Sequence, residues 1–150
     1  MIVKTKYFDE IMYEEKDVIT ISNGLFGFET LTKFLAIPFN SSNDFVISLQ
    51  SLEDENLSFI LMNPFHLFED YSPKPLKSDL NIFEGTEEDN LSYYVIAVLN
   101  DTLASSTLNL KAPIVFNAMT HIGKQIILPQ AEYTFRHPFP IKHCKEDSIC

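Results

Sequence analysis

Carboxylates are the most numerous side chains able to do chemistry in this sequence, 21 against 11 Lys and Arg. They gather at Glu53-Asp54-Glu55, Glu69-Asp70, and Glu84 with Glu87-Glu88-Asp89. A pair of carboxyls can cleave a glycosidic bond when held ~5–10 Å apart in a cleft. These clusters fall in turns and at strand ends, where water solvates them, so a solvated or partner-facing acidic surface is the better reading. Four histidines are scattered at positions 66, 121, 137 and 143. None shares the spacing of a structural zinc site with other His, Cys, Asp or Glu. The nearest approach is His143-Cys144 with Cys150 in a polar tail, with nothing rigid to hold a metal. Cys144 beside His143 also makes a poor nucleophile–base pair, because sequence neighbours rarely face each other as attack requires. Signatures for a Walker loop, a dinucleotide fold, a serine elbow or a zinc protease are missing. In Asn23-Gly24-Leu25-Phe26-Gly27, Phe28 and Glu29 follow where a phosphate loop needs small residues or Lys. No catalytic residue, metal or cofactor is expected.

The elements that would position such groups are mostly strands. Ile2–Tyr7 alternates, and Ile11–Tyr13 and Val18–Ser22 are short and β-branched or aromatic. Phe34–Phe39 and Phe45–Leu52 flank five polar turn formers at 40–44, which predicts a hairpin. Ser58–Met62 is a further apolar run closed by Asn63-Pro64. Leu91–Leu99 is apolar in both alternation phases, as in a strand covered on both faces. Ile114–Asn117 and Gln125–Leu128 read as a last hairpin turning at Gly123. Pro64–Asp70 and Ser78–Phe83 predict short helices, and 101–108 is either helix or loop. The fold expected is mainly β, a single-domain barrel-like fold with short capping helices, over residues 1–137. Residues 138–150 read as a polar, flexible C-terminal tail.

Charge narrows the function. The net charge is −10: residues 1–50 carry −3, 51–104 carry −9 and 105–150 carry +2. That balance repels nucleic acid, whose phosphates need clustered Lys and Arg, and attracts basic proteins. No apolar run approaches the ~20 residues of a membrane span. The N-terminus lacks the apolar core of a signal peptide. The two cysteines, Cys144 and Cys150, lie too late to staple a core. A cytoplasmic, non-enzymatic binding protein is expected.

Several separated segments resemble the FliW family of flagellar assembly factors. Met1–Phe8 is similar to its opening strand. Ile21-Ser22-Asn23-Gly24-Leu25-Phe26-Gly27-Phe28-Glu29 resembles the family's F-P-x-G-L-P-G-F-E. Leu49–Asp54, with Leu57-Ser58-Phe59 and Asn63-Pro64, is similar to its central strand pair. Asn109-Leu110-Lys111-Ala112-Pro113-Ile114-Val115 resembles N-L-x-A-P-[IL]-[VI], the most specific stretch, and Tyr133–His137 is similar to the usual ending. Ser22 and Phe26 stand where the family has proline, and loss of two fixed φ angles predicts a more mobile loop.

The resemblance implies a barrel-like domain that works by exchanging partners. It would bind the RNA-binding regulator CsrA, relieve its repression of flagellin translation, and release it when flagellin binds instead. Candidate contacts are Phe65, Asn109, Leu110, Lys111, Ala112 and Pro113, with Asn23–Phe28 as a second surface. For Leu110 and Pro113 a purely structural role weighs slightly more. Glu53, Asp54, Glu69 and Asp70 are the candidate acidic surface that would face the RNA path. Two other readings compete: a small β-barrel ligand-binding protein, and a carboxylate-dependent hydrolase.

Overall fold

The computed structural model describes residues 1–83, 85–86 and 90–140. The acidic cluster Glu84, Glu87, Glu88 and Asp89, and His143, Cys144 and Cys150, lie outside the described residues. Among the described residues there are eleven strands: β1 (Ile2–Lys4), β2 (Glu10–Met12), β3 (Ile19–Ile21), β4 (Lys33–Asn40), β5 (Asn43–Ser51), β6 (Ser58–Met62), β7 (Leu91–Val98), β8 (Thr107–Leu108), β9 (Ile114–Asn117), β10 (Ile122–Gln125) and β11 (His137–Pro138). One four-residue helix, α1 (Pro64–Leu67), follows β6, and 3₁₀ turns cover Glu15–Asp17, Lys77–Phe83 and Leu103–Ser105.

Seven strands close a barrel in the order β7-β6-β5-β4-β3-β10-β9, with β9 pairing back onto β7. Closure leaves the barrel strands no long free edge. All pairs within it are antiparallel except β3–β10. One edge of β7 is shared end to end: Leu91–Tyr94 pair with β9, and Ala97–Val98 with β8. β11 then extends β8.

The apolar double phase of β7 has a direct cause. Tyr94 and Ile96 point into the barrel, where Phe34, Leu49, Leu61, Ile114 and Phe116 pack. Tyr93, Val95 and Ala97 point outward into a second cluster, roofed by Tyr71, Phe83, Ile126, Leu128 and Phe139. Over Tyr94–Ala97 both faces are covered, so neither phase is polar there, while Ser92 and Val98 nearer the ends are exposed.

α1 forms where expected but is shorter. Asn63 caps it, its side chain accepting the Phe65 N–H at 3.0 Å, and Pro64 occupies the first turn, where its missing N–H costs nothing. The segment 101–108 resolves into a 3₁₀ turn capped reciprocally by Thr102 and Ser105, followed by β8.

Two expectations are corrected. The opening strand ends at Lys4 and does not join the barrel; it pairs only with β2 in a separate ribbon. Gly123 is not at a turn. It sits inside β10 beside Phe116, and the turn falls at Ala118–His121, where the Asn117 side chain accepts the N–H groups of Met119 and Thr120. A Cβ on Gly123 would lie 2.7 Å from Phe116 Cδ1 and 3.1 Å from Ile21 Cδ1, so glycine serves close packing there. Phe139 is buried in the outer cluster and donates its N–H to Ser106 O.

Candidate partner-binding surfaces

The segment Asn109–Pro113 crosses from β8 to β9 and is tied down on both sides. Asn109 Oδ1 accepts the Ala112 N–H at 3.0 Å, an Asx turn that shapes the crossing. Lys111 accepts from Leu128 N–H through its carbonyl, donates its N–H to Thr134 O, and sends its ammonium to Gln130 O at 3.0 Å. Leu110, Ala112 and Pro113 are buried. Only Asn109 and Lys111 reach the surface, each partly.

Phe65 lies on the same side of the molecule. It is 43% exposed, and its ring meets Tyr71 at 5.6 Å and Tyr93 at 6.3 Å. Tyr71 stacks in turn on Tyr133 at 4.8 Å and donates its hydroxyl to Leu110 O at 2.9 Å. Burial first, then the neighbouring Tyr133 and Tyr93, push the Tyr71 phenol well above its ordinary value. Tyr133 accepts the Ser72 N–H at 2.8 Å. A shallow cleft of about 280 Å³ opens here, lined by Phe68, Asp70, Leu110, Glu132, Tyr133 and His137 with Tyr71. One exposed ring, Phe65, backed by the buried Tyr71 and the half-buried Phe68 and Tyr133, offers an aromatic anchor of the kind that protein contacts use. Phe68, Tyr71, Glu132, Tyr133 and His137 are the members that sequence reasoning did not select; 61 residues of chain separate Ser72 from Tyr133, and no local pattern joins them.

The four candidate carboxylates do not form one patch. Glu53 and Asp54 occupy the β5–β6 turn, whereas Glu69 and Asp70 follow α1 beyond the other end of β6. Five residues of β6 span roughly 17 Å between turn and helix. Glu53 is also engaged structurally, since its Oε1 accepts the Thr32 and Lys33 N–H groups at 2.9 Å each.

The loop Asn23–Phe28 is the other candidate surface. Asn23, Gly24 and Gly27 have positive φ, and a Cβ on Gly24 would strike Glu29 backbone at 2.7 Å. Leu25 anchors it in the barrel while Phe26 and Phe28 are exposed. Glu29 accepts the Gly27 N–H at 3.0 Å, and this bond holds its carboxyl below the ordinary range. Ser22 donates its N–H to Gly123 O at 2.8 Å, and Phe26 donates to Gln125 Oε1 at 2.9 Å. Proline could make neither bond, so these two residues fasten the loop to β10 where a gain of mobility was expected. Gln125 is buried, and its amide also donates to Ala112 O at 3.1 Å. One side chain thus joins the loop to the Asn109–Pro113 segment.

A larger cleft, about 520 Å³, lies between β2 and one end of the barrel, with Tyr94 and Phe116 in its floor. The carboxylates that line it, Asp17 and Asp44, are both exposed. Among the described residues, no three His, Cys, Asp or Glu gather as a metal site, and no helix is long and apolar enough to cross a membrane.

Comparison with known proteins agrees with this architecture. The family model described as "FliW protein" matches residues 2–139. The flagellar assembly factor FliW of Clostridium kluyveri is 36% identical over 138 residues, 92% of this chain and 94% of that protein. That of Bacillus licheniformis is 34% identical over 144 residues, covering 96% and 100% of the two chains. A crystal structure of the flagellar assembly factor FliW superposes with a TM-score of 0.85 at 33% identity, covering 93% of this chain and 98% of that one. With its closed seven-stranded barrel and a match along nearly its whole length, the chain belongs to the FliW family of flagellar assembly factors.

Proposed function

We propose that this protein is a non-catalytic, cytoplasmic partner switch: it binds a CsrA-type RNA-binding regulator, relieves repression of flagellin translation, and gives the regulator up when flagellin occupies it. The observation that carries the reading is the family match across 2–139, which spans both candidate surfaces. The acidic balance supports it, since a domain of net charge −10 docks readily beside a basic protein and disfavours RNA there. Two unit charges ~10 Å apart interact by only a few tenths of a kcal/mol in water. Several carboxylates acting together reach the ~1.4 kcal/mol that changes affinity tenfold.

The split acidic surface sharpens the proposal. At a Debye length of ~8 Å, carboxylates separated by the length of β6 cannot act on the same phosphates. One acidic pair, Glu69 with Asp70, sits at the Phe65–Tyr133 face, and this face with Asn109 and Lys111 is the proposed regulator contact. Gln125 supplies a physical link by which an occupant of the Asn23–Phe28 loop disturbs the Asn109–Pro113 segment. The test is a pull-down with purified CsrA and flagellin. Flagellin in excess should displace CsrA from this protein; simultaneous binding of both, or binding of neither, overturns the switch. The alternative, a small β-barrel ligand-binding protein, has the barrel-end cleft in its favour.

A further inference from the structure

The cleft at the barrel end is not part of the face just described, and its construction points to a definite occupant. Its walls are mainly apolar, supplied by Ile11, Ile37, Ile47, Tyr94 and Phe116. Its charged members are Asp17 and Asp44, and no Lys or Arg is among the described residues that line it. At about 520 Å³ it has the size of a pocket for a small ligand or a few side chains.

Two further features separate a strand from a small molecule. First, β2 forms one wall and has β1 as its only strand neighbour among the described residues. Tyr13 exchanges backbone bonds with Met1, and Thr5 donates to Asp9 O. In an antiparallel pair the bonded residues alternate, so Glu10 and Met12 direct their N–H and C=O groups to the free edge. Such an edge is a template for another strand. Second, His121 Nδ1 is buried and without a hydrogen-bond partner, on a residue that lines the cleft. The ring is held there by its backbone, at φ 59°, with N–H to Asn117 O at 2.9 Å and C=O from Thr20 N–H at 3.0 Å. An unpaired buried nitrogen costs ~1–3 kcal/mol, and because it is covered an arriving backbone group gains its bond only as the ring turns toward the cleft.

We propose that this cleft receives an extended segment of a partner protein, adding to the free edge of β2, with alternate apolar side chains in the barrel end and Lys or Arg at Asp17 and Asp44. The proposal rests on the partner-binding reading for the source of the segment, and names a surface that reading does not use.

The probe is an acetylated, amidated hexapeptide alternating Val and Lys, titrated into the full chain labelled with ¹⁵N. Saturable shifts at Ile11–Tyr13, Ser92 and His121 are expected. A peptide with Glu in place of Lys should bind at least about tenfold more weakly, as like charges oppose it. The double variant Asp17→Asn, Asp44→Asn should weaken the Lys peptide similarly, and Met12→Pro should abolish binding by removing an edge N–H. Should Met12→Pro unfold the ribbon, a peptide N-methylated at alternate residues tests the same bonds on unaltered protein. Equal binding of the Glu peptide, shifts confined to the Phe65–Tyr133 face, or saturation of the same shifts by butylamine alone would overturn the proposal. The titration reads the cleft and the pull-down reads the switch, so either can fail without the other.

Discussion

Replacing Gly123 by alanine tests the reading of the barrel interior, because two opposed effects of known size meet at one atom. Alanine narrows the unfolded ensemble and should add about 0.4–1 kcal/mol where the native backbone accepts it. Gly123 has no positive φ, so that gain is available. Against it, the new Cβ would lie 2.7 and 3.0 Å from Phe116 Cδ1 and Cε1, and 3.1 Å from Ile21 Cδ1. Neither neighbour can yield freely: Phe116 packs edge-on to Tyr94 at 6.0 Å and Ile21 is fully buried. Overpacking of this kind costs ~1–3 kcal/mol. The clash wins, and Gly123→Ala should destabilise by about 1–2 kcal/mol, lowering Tm by roughly 2–8 °C. Urea unfolding followed by far-UV circular dichroism and tyrosine fluorescence measures this, the chain having no Trp. The decisive arm is a double-mutant cycle with Phe116→Leu, which removes the ring atoms in conflict. The double variant should be no less stable than Phe116→Leu alone, a coupling of about 1 kcal/mol or more. Additive losses, or a stabilised Gly123→Ala, would refute the close-packing account.

Three other outcomes follow from the same structure. Gln125→Leu strands the Phe26 N–H and the Ala112 carbonyl, and should cost ~2–4 kcal/mol, with faster amide hydrogen exchange at Phe26 as the local signature; Phe26→Pro should lose stability too, despite its stiffer backbone. Tyr71 and Tyr94 hold their phenol protons well above the ordinary 10.0, both chiefly through burial. Their contribution is fully present below pH ~10 and is lost as pH rises beyond it, because the unfolded chain ionises first; Tyr71→Phe should therefore flatten the alkaline fall in Tm. Finally, Glu69→Lys with Asp70→Lys should weaken CsrA antagonism, whereas Asp54→Lys with Glu55→Lys, in the β5–β6 turn, should leave it near wild type; a translation reporter for flagellin reads both.

Much of this protein is decided locally and is legible without coordinates. Polar turn formers at 40–44 make a hairpin because their side chains satisfy their own backbone, as Asn40 and Asn43 do. Asn63-Pro64 starts a helix for the same reason. The double apolar phase of Leu91–Leu99 announces a strand whose middle is covered on both faces. What the sequence leaves open is which alternating face meets which. Period-2 patterning says that Phe116 and Ile21 point somewhere; only the pairing of β10 with β3 on one side and β9 on the other brings them onto Gly123 and turns a supposed turn glycine into a packing one. Likewise Phe26 and Gln125 lie 99 residues apart, and their bond exists only because the barrel closes. The acidic pairs Glu53-Asp54 and Glu69-Asp70 are held apart by β6, and the aromatic face of Phe65, Tyr71 and Tyr133 is assembled from α1 and two loop segments that share no local signal. Local chemistry chooses the elements; the closure of the barrel, through contacts distant in sequence, chooses the surfaces.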